Sequence, residues 1–380
     1  MKIGILTYWW SNDNYGQLLQ CYALQKYLRD KGHDAFLVRY HPIHETQRMS
    51  KKQRILFTIN HPIRGLRIIY NKIFPEQKLL YNEENNSKRD FDSFRKNHIV
   101  SSKMIFTSYQ ELKNNYPKAD IYIVGSDQIW NIDNEYATSI IDAWYLNFLP
   151  DSIKRYSYAA SFGRRILPNA VTKVIKTRLE KFSFVTVRED SGRQILKKAG
   201  IDVEVVCDPT LLLSVNSYLS LFSSISIKKS HYVFLYLLSN TCTFSVKKFK
   251  NWAFENGLDV VYVSGNEGYI KCNYDDEGIE KTYPTIQAWL ANIANAEYVI
   301  TNSFHCSVFS ILFKKKIAVV PLEGTVKNTN NRIDSLFKNL NVNKTVIENN
   351  SFSVLYDLWE QNFDGSFIEK SKKRLNSFVN

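Results

Sequence analysis

Apolar residues along this chain fall into short runs separated by stretches of helical period. Lys2-Ile-Gly-Ile-Leu-Thr7 reads as a buried strand, and Ser11–Gly16 as a polar loop. Leu18, Leu19, Tyr22, Ala23, Leu24, Tyr27 and Leu28 then recur on one helix face until Gly32. Ala35–Val38 forms the next strand and completes a unit of βαβ length. Glu83–Ser87 reads as a loop and Asp90–Asn97 as a short helix. Strands follow at Asp120–Gly125, Lys154–Gly163, Phe184–Val187 and Val203–Val206, with helices at Asn169–Phe182 and Ser191–Ala199. Such alternation predicts a largely parallel, doubly wound α/β sheet.

The polar stretch Ser214–Ser230 reads as an interdomain linker, after which the alternation resumes. Strands are expected at Tyr232–Leu237, Val260–Val263, Tyr298–Ile300 and Ile317–Val320. Helices are expected at Val246–Asn256, Pro284–Ala294 and Ser307–Phe313. The chain therefore divides into a first domain over 1–213, a second over 231–350, and a helical segment over 351–380 expected to pack back on the first.

One stretch differs in character. Between Arg48 and Phe74 seven basic residues interleave with apolar ones and no acidic residue occurs. This basic insertion, near 44–80, suits either an anionic membrane surface or an ordinary helix with a solvated basic face. The whole chain of 380 residues carries a formal charge of +13, which points to an anionic partner without choosing among phosphates, nucleic acid and lipid. Its five cysteines have neither Cys-x-x-Cys nor metal-ligand spacing, so reduced thiols, no metal and a cytoplasmic location are expected. Met1–Thr7 is too short an apolar run for a signal peptide, and no uninterrupted run reaches membrane-spanning length.

The chemistry-bearing residues gather at strand ends. Asn14 and Gly16 follow the first strand, where open α/β sheets place ligands. No Gly-x-Gly-x-x-Gly follows that strand, so a dinucleotide is not indicated. Asp127, in Gly125-Ser-Asp-Gln-Ile-Trp130, fits either a role toward a sugar hydroxyl or a turn cap. Arg188 closes a strand beside Glu189 and Asp190, as an anion ligand or as their ion-pair partner. Thr301-Asn-Ser-Phe-His305 ends another strand with N-cap residues, placing His305 in or beside a helix first turn, a natural anion site.

Four blocks together resemble the polysaccharide pyruvyl transferase family: Asn14-Tyr-Gly16 with Leu19-Gln20; Gly125–Trp130; Tyr158–Gly163 with Val187-Arg-Glu189 and Asp208-Pro-Thr210; and Thr301–His305. They run in register to about Asp334. The resemblance implies two Rossmann-like domains in a GT-B-like arrangement with the site in the interdomain cleft. It also implies transfer of the enolpyruvyl group of phosphoenolpyruvate to a sugar of a polysaccharide or lipid-linked oligosaccharide, giving a pyruvate ketal, with no cofactor and no metal. Peripheral contact with the inner face of the cell membrane would follow from a lipid-linked acceptor. His305 corresponds to the family's general acid, with Asp127 as a second catalytic candidate. Arg188, Asn302, Ser303, Arg332 and Ser161 fall to the donor, and Asn14, Gly16, Ser126, Gln128 and Trp130 to the acceptor or cleft. The chain departs from the family at Ser303, where well-studied members carry Arg, and Arg332 is the candidate to supply that charge. Cys306 reads as a small, half-buried residue rather than a nucleophile.

Two other classes stay open. A nucleotide-sugar glycosyltransferase of the same fold would need a carboxylate for a ribose, for which Glu323 is a candidate and Glu297 is badly placed. A non-catalytic basic protein for membrane or nucleic acid is the other, although no nucleic-acid module is present and no nucleic-acid partner is expected.

Overall fold

A computed structural model describes residues 1–42, 83–131, 138–227, 229–238, 244–265, 280–323 and 330–379. The Arg48–Phe74 stretch lies outside the described residues.

Seven parallel strands make the first sheet: β1 (Lys2–Leu6), β2 (Asp34–Tyr40), β3 (Ser101–Phe106), β4 (Ile121–Val124), β5 (Lys154–Ala160), β6 (Phe184–Val187) and β7 (Glu204–Val205). Their order is β3-β2-β1-β4-β5-β6-β7. The second sheet, also parallel, runs β12-β11-β10-β8-β9, from β8 (Tyr232–Leu237), β9 (Asp259–Ser264), β10 (Tyr298–Thr301), β11 (Lys316–Val319) and β12 (Thr345–Val346). The helices that bear on the site are α1 (Tyr15–Asp30), α2 (Asn169–Leu179), α3 (Asp190–Lys198), α4 (Ile286–Asn295), α5 (Phe304–Leu312), α6 (Asn330–Asn339) and α7 (Ser366–Val379). The expected doubly wound α/β class is what the chain adopts. Strand order reverses between β1 and β4 in one sheet and between β8 and β10 in the other, which opens a crevice at the strands' carboxyl ends in each.

Central strands β4 and β8 are buried along their whole length, as their unbroken Ile, Val, Tyr, Phe and Leu runs require in a sheet covered on both faces. Helix α1 is unusual, with 13 of its 16 residues buried. A helix covering one sheet would bury a single stripe; α1 also meets the second domain. Tyr15 stacks on Trp289 of α4 at 5.1 Å and its hydroxyl donates to the Pro284 carbonyl at 2.7 Å.

Several local expectations change. Glu83–Arg89 is helical rather than a loop. Strand β3 was hidden because its Ser-Ser-Lys start is polar and it lies at the sheet edge, with Met104 and Ile105 exposed. Helix α5 starts at Phe304 rather than Ser307, so His305 sits fully inside its first turn. The tail is less helical than its composition suggests: a short turn at Ser353–Leu355 precedes α7. The stretch after Ser214 is not a free tether, since Tyr218 packs edge-on against Phe309 at 4.9 Å and donates to the Thr210 carbonyl at 2.8 Å.

Helix α7 packs on the first domain. Phe378 stacks on Tyr156 at 4.9 Å, Arg374 pairs with Glu204, and Ser371 Oγ accepts from the Cys207 N–H at 2.9 Å. That last bond ties the helix to the residue before Asp208. Phe378→Ala should lower stability by about 3 kcal/mol, the cost of an unfilled aromatic site. A urea midpoint within experimental error of the parent would show that α7 contributes nothing to the first domain's stability.

Candidate active site

The loops after β1, β4, β5 and β6 meet the loop after β10. Asn14 Oδ1 accepts from the Gln17 N–H at 3.2 Å and caps α1. Ser303 Oγ accepts from the Cys306 N–H at 3.3 Å and caps α5. Both residues thus occupy one orphan amide of a helix start. Asn302 Oδ1 accepts from the Leu238 N–H at 2.8 Å and ties the ends of β8 and β10 together.

The two helix starts converge on His305. A Cβ built on Gly16 would lie 2.1 Å from His305 Nδ1 and 2.6 Å from its Cβ, so only glycine lets α1 approach the ring this closely. The other edge of the ring, Nε2, faces Asp208 Oδ2 at 3.5 Å.

Asp208 is the centre of the polar cluster. Its Oδ1 accepts from the Thr210 N–H at 3.0 Å and the Thr210 hydroxyl at 2.7 Å. Its Oδ2 accepts from Arg188 Nη1 at 2.8 Å and from Ser126 Oγ at 3.3 Å. Ser126 shares that single proton with Gln20 Oε1 at 2.9 Å, and Gln20 Nε2 donates to Thr7 Oγ1 at 3.0 Å, so the network runs back to β1. Burial alone would raise the Asp208 carboxyl; His305, Arg188 and Thr210 outweigh it and hold the group well below the usual carboxylate range.

Arg188 lies under this network with its guanidinium 4.3 Å from the Phe304 ring centroid, a cation–π contact from the first domain to the second. It sits 3.7 Å from Asp127 and 3.8 Å from Glu189. Burial works against its charge, yet Asp208, Asp127 and Glu189 together keep the guanidinium above its ordinary value. Its Nε and Nη2 are buried without a hydrogen-bond partner. Arg332, at the start of α6, is close enough for the two charges to repel; burial and then Arg188 push it down to about 10, which leaves it charged at neutral pH.

Glu189 is fully buried, and its Oε1 accepts from Ser161 Oγ at 2.8 Å and the Phe162 N–H at 3.2 Å. Burial raises its carboxyl against the pull of Arg188, Ser161 and Arg332. Ser161 therefore positions Glu189, one step removed from Arg188. Asp127 takes a left-handed backbone conformation (φ 67°), and its Oδ1 accepts from the Gln128 N–H at 2.9 Å.

The fold brings His305, Arg188, Arg332, Asp127, Ser126 and Gly16 together, whereas Asn14, Ser303 and Asn302 bond to backbone. Gln128 is half-buried, its side-chain oxygen beside Gly163 and accepting from Asn131. Trp130 lies in the core of the first domain: 2% exposed, stacked on Tyr145 at 5.2 Å, its indole donating to the Trp144 carbonyl. Cys306 is completely rather than half buried, and burial pushes its thiol up to about 12, which removes the thiolate at neutral pH. Asp208 and Gln20 received no individual role from the sequence, and Glu189 only that of an ion-pair partner for Arg188. The available signal for Asp208 was an Asp-Pro-Thr turn after a short strand. Among the described residues no grouping of His, Cys, Asp and Glu is arranged to hold a metal ion, and no helix is long and apolar enough to cross a membrane.

Two outcomes follow from this geometry. Asp208 has a depressed folded-state value, so its contribution to stability is present above the unfolded carboxyl's value, about 3.9, and is lost as pH falls through the folded value. Asp208→Asn should cost about 3–5 kcal/mol at pH 7, where it leaves Arg188 buried beside one fewer anion. The deficit should shrink in urea titrations below about pH 4. A deficit constant from pH 7 to 3 would show that the carboxylate charge is not what stabilises the cluster. Gly16→Ala should displace the His305 ring or α1; an unchanged His305 imidazole NMR signal would contradict the close approach.

Comparisons with known proteins agree with this architecture. The chain resembles the UDP-GlcNAc 2-epimerase from Methanocaldococcus jannaschii, with a TM-score of 0.53, 13% identity, and coverage of 100% of this chain and 99% of that one. It resembles the UDP-GlcNAc 2-epimerase from Neisseria meningitidis, bound to UDP-GlcNAc, with a TM-score of 0.51, 10% identity, and full coverage of both chains. At such identities the likeness establishes the fold, a GT-B-like pair of α/β domains. No curated protein matches the sequence. The sequence pattern described as polysaccharide pyruvyl transferase matches residues 14–322, from the cap of α1 past the end of β11. The chain belongs to the polysaccharide pyruvyl transferase family.

Proposed function

We propose that this protein transfers the enolpyruvyl group of phosphoenolpyruvate to a sugar hydroxyl of a polysaccharide or its lipid-linked precursor, forming a pyruvate ketal. The observation that carries the reading is Arg188: nearly sealed from solvent, sharing Asp208 with His305, with two guanidinium nitrogens that make no hydrogen bond and have carboxylates only at 3.7 and 3.8 Å. A buried donor pair of this kind is costly unless an anion completes it. Phosphoenolpyruvate offers a carboxylate and a phosphate, both matched to a guanidinium fork. Arg332 supplies a second positive charge where Ser303, engaged as a cap, has none.

In this reading His305 delivers a proton to the methylene carbon, and the adjacent carbon becomes electrophilic as an oxocarbenium-like centre. A sugar hydroxyl adds there, a neighbouring hydroxyl displaces phosphate, and the carbon is left bridging two sugar oxygens. One hydroxyl proton replaces the one His305 gave, and the other leaves with phosphate. Asp208 faces the ring at Nε2 from 3.5 Å, and Gly16 abuts it at Nδ1. In the same reading Asp127, 3.7 Å from Arg188, accepts a hydroxyl proton.

The membrane-facing and cytoplasmic aspects belong to this same reading, since a lipid-linked acceptor would be presented at the inner leaflet. No cofactor is needed for the balance above. Solved structures of this fold bind UDP-GlcNAc, so a nucleotide sugar is the competing ligand to exclude.

Phosphoenolpyruvate should raise the thermal midpoint of the protein, and UDP-GlcNAc should not; a ligand at 100 times its Kd adds about 2.7 kcal/mol. Arg188→Ala should abolish the shift, whereas His305→Ala should keep it while losing phosphate release with acceptor by at least about 100-fold. A shift that survives Arg188→Ala, or one seen only with UDP-GlcNAc, overturns the assignment.

A further inference from the structure

The turn that carries Asp208 is rigid within itself and weakly held by its own sheet. Asp208 Oδ1 takes both Thr210 donors, the Leu211 N–H donates to the Asp208 carbonyl at 2.9 Å, and Pro209 fixes its own φ. Strand β7, which leads into the turn, has two residues and lies at the edge of the first sheet. The Val206 N–H still donates to the Val187 carbonyl at 2.9 Å, but the next amide leaves the ladder. A stiff turn on a short edge strand moves as a unit, so whatever holds its ends places the carboxylate.

Each end is held by one buried hydroxyl from another part of the chain. At the near end the Cys207 N–H donates to Ser371 Oγ of α7 at 2.9 Å. Ser371 donates its own proton to the Phe367 carbonyl at 2.8 Å, which leaves its oxygen free to accept. At the far end the Thr210 carbonyl accepts from Tyr218 Oη at 2.8 Å. Tyr218 belongs to the short helix Val215–Leu219 between the domains, and its ring packs edge-on against Phe309 at 4.9 Å. Phe309 lies on α5 four residues after His305, about one helical turn along. Tyr218 thereby joins the Asp208 turn to the helix that bears the imidazole. Ser371 lies outside residues 14–322, so the family likeness assigns it no task.

We propose that Ser371 and Tyr218 are positioning residues that clamp the Asp208 turn at its two ends and, through Asp208, set where Arg188 and His305 stand. Asp208 Oδ2 is 2.8 Å from Arg188 Nη1 and 3.5 Å from His305 Nε2, so a shift of the turn changes both distances. The effect on turnover rests on the transfer reading above; the placement of the ring does not.

The test uses the full chain with Ser371→Ala and Tyr218→Phe, each of which removes a single hydroxyl. Tyr218→Phe keeps the ring on Phe309 and covers the case in which Ser371→Ala disturbs folding. Phe378→Ala is the control on the same helix, since that ring packs on Tyr156 and Phe184. Both hydroxyl deletions should shift the His305 imidazole NMR signal, and the control should leave it in place. Each deletion should also destabilise the protein more at pH 7 than below about pH 4 in urea titrations. The sign follows from the depressed Asp208 carboxyl, whose stabilisation is present above the unfolded value and lost as pH falls through the folded one. The ionisable groups acting on Asp208 are Arg188, His305 and Arg332, and Asp127 and Glu189 face the same Arg188. Burial pushes Tyr158, Tyr218 and Cys207 up, so they stay neutral over this range. With phosphoenolpyruvate and an acceptor, each deletion should slow phosphate release by about 10-fold or more.

A His305 signal unmoved in both variants overturns the clamp, and one that moves in a single variant removes the other residue from it. A deficit of equal size at both pH values in both variants also overturns it, because the hydroxyls would then support the backbone without placing the carboxylate. Absence of phosphate release in the parent would remove the transfer reading instead, and the NMR and urea results would still decide the clamp.

Discussion

One buried carboxylate, Asp208, holds the polar interior of this protein together. Its two oxygens accept from Thr210, Ser126 and Arg188 and face His305 from 3.5 Å, so a carboxylate of the first domain stands against the ring of the second. Sealing an ion among ions is costly, and each hydrogen bond to the carboxylate offsets part of that cost. Here the answering groups come from the ends of β4, β6 and β10 and the turn after β7. The orientation of the domains and the geometry of the candidate chemistry are consequently one property, since moving α5 relative to the first sheet would strip Asp208 of a partner.

The helix starts show how that constraint distributes tasks. Asn14 and Ser303 are small polar residues at the mouth of the site, the types that satisfy a helix's first amides, and each does so. The positive charges of the cluster are Arg188 and Arg332, which face three carboxylates, Asp127, Asp208 and Glu189. Burial raises the Glu189 carboxyl, and Arg188, Ser161 and Arg332 pull against it. Gly16 contributes by having no side chain: it allows α1 to abut the imidazole at Nδ1.

Much of the fold could be read from periodicity. The strands at β1, β4 and β8 and the helices α1 and α3 carry patterns that local sterics and burial translate into structure with little ambiguity. The edge strand β3 could not be read, because an edge strand buries only part of one face and Ser101-Ser102-Lys103 gives no alternating signal. Trp130 shows the limit for sites. It follows the strand-end motif directly, yet its ring turns inward to stack on Tyr145 while Asp127 turns toward Arg188.

By itself the sequence determined the kinds and order of elements, the excess of positive charge, and the presence of Asp, Arg and His at strand ends. These are local properties, set by side-chain periodicity and by the residues that turns and caps tolerate. The tertiary structure decided that Asp208 stands between Arg188 and His305, that Ser161 acts through Glu189, and that the hydroxyls of Ser371 and Tyr218 reach the two ends of the Asp208 turn. Strand order and helix approach fix those distances, and they arise from packing among segments tens to hundreds of residues apart, which no local pattern encodes.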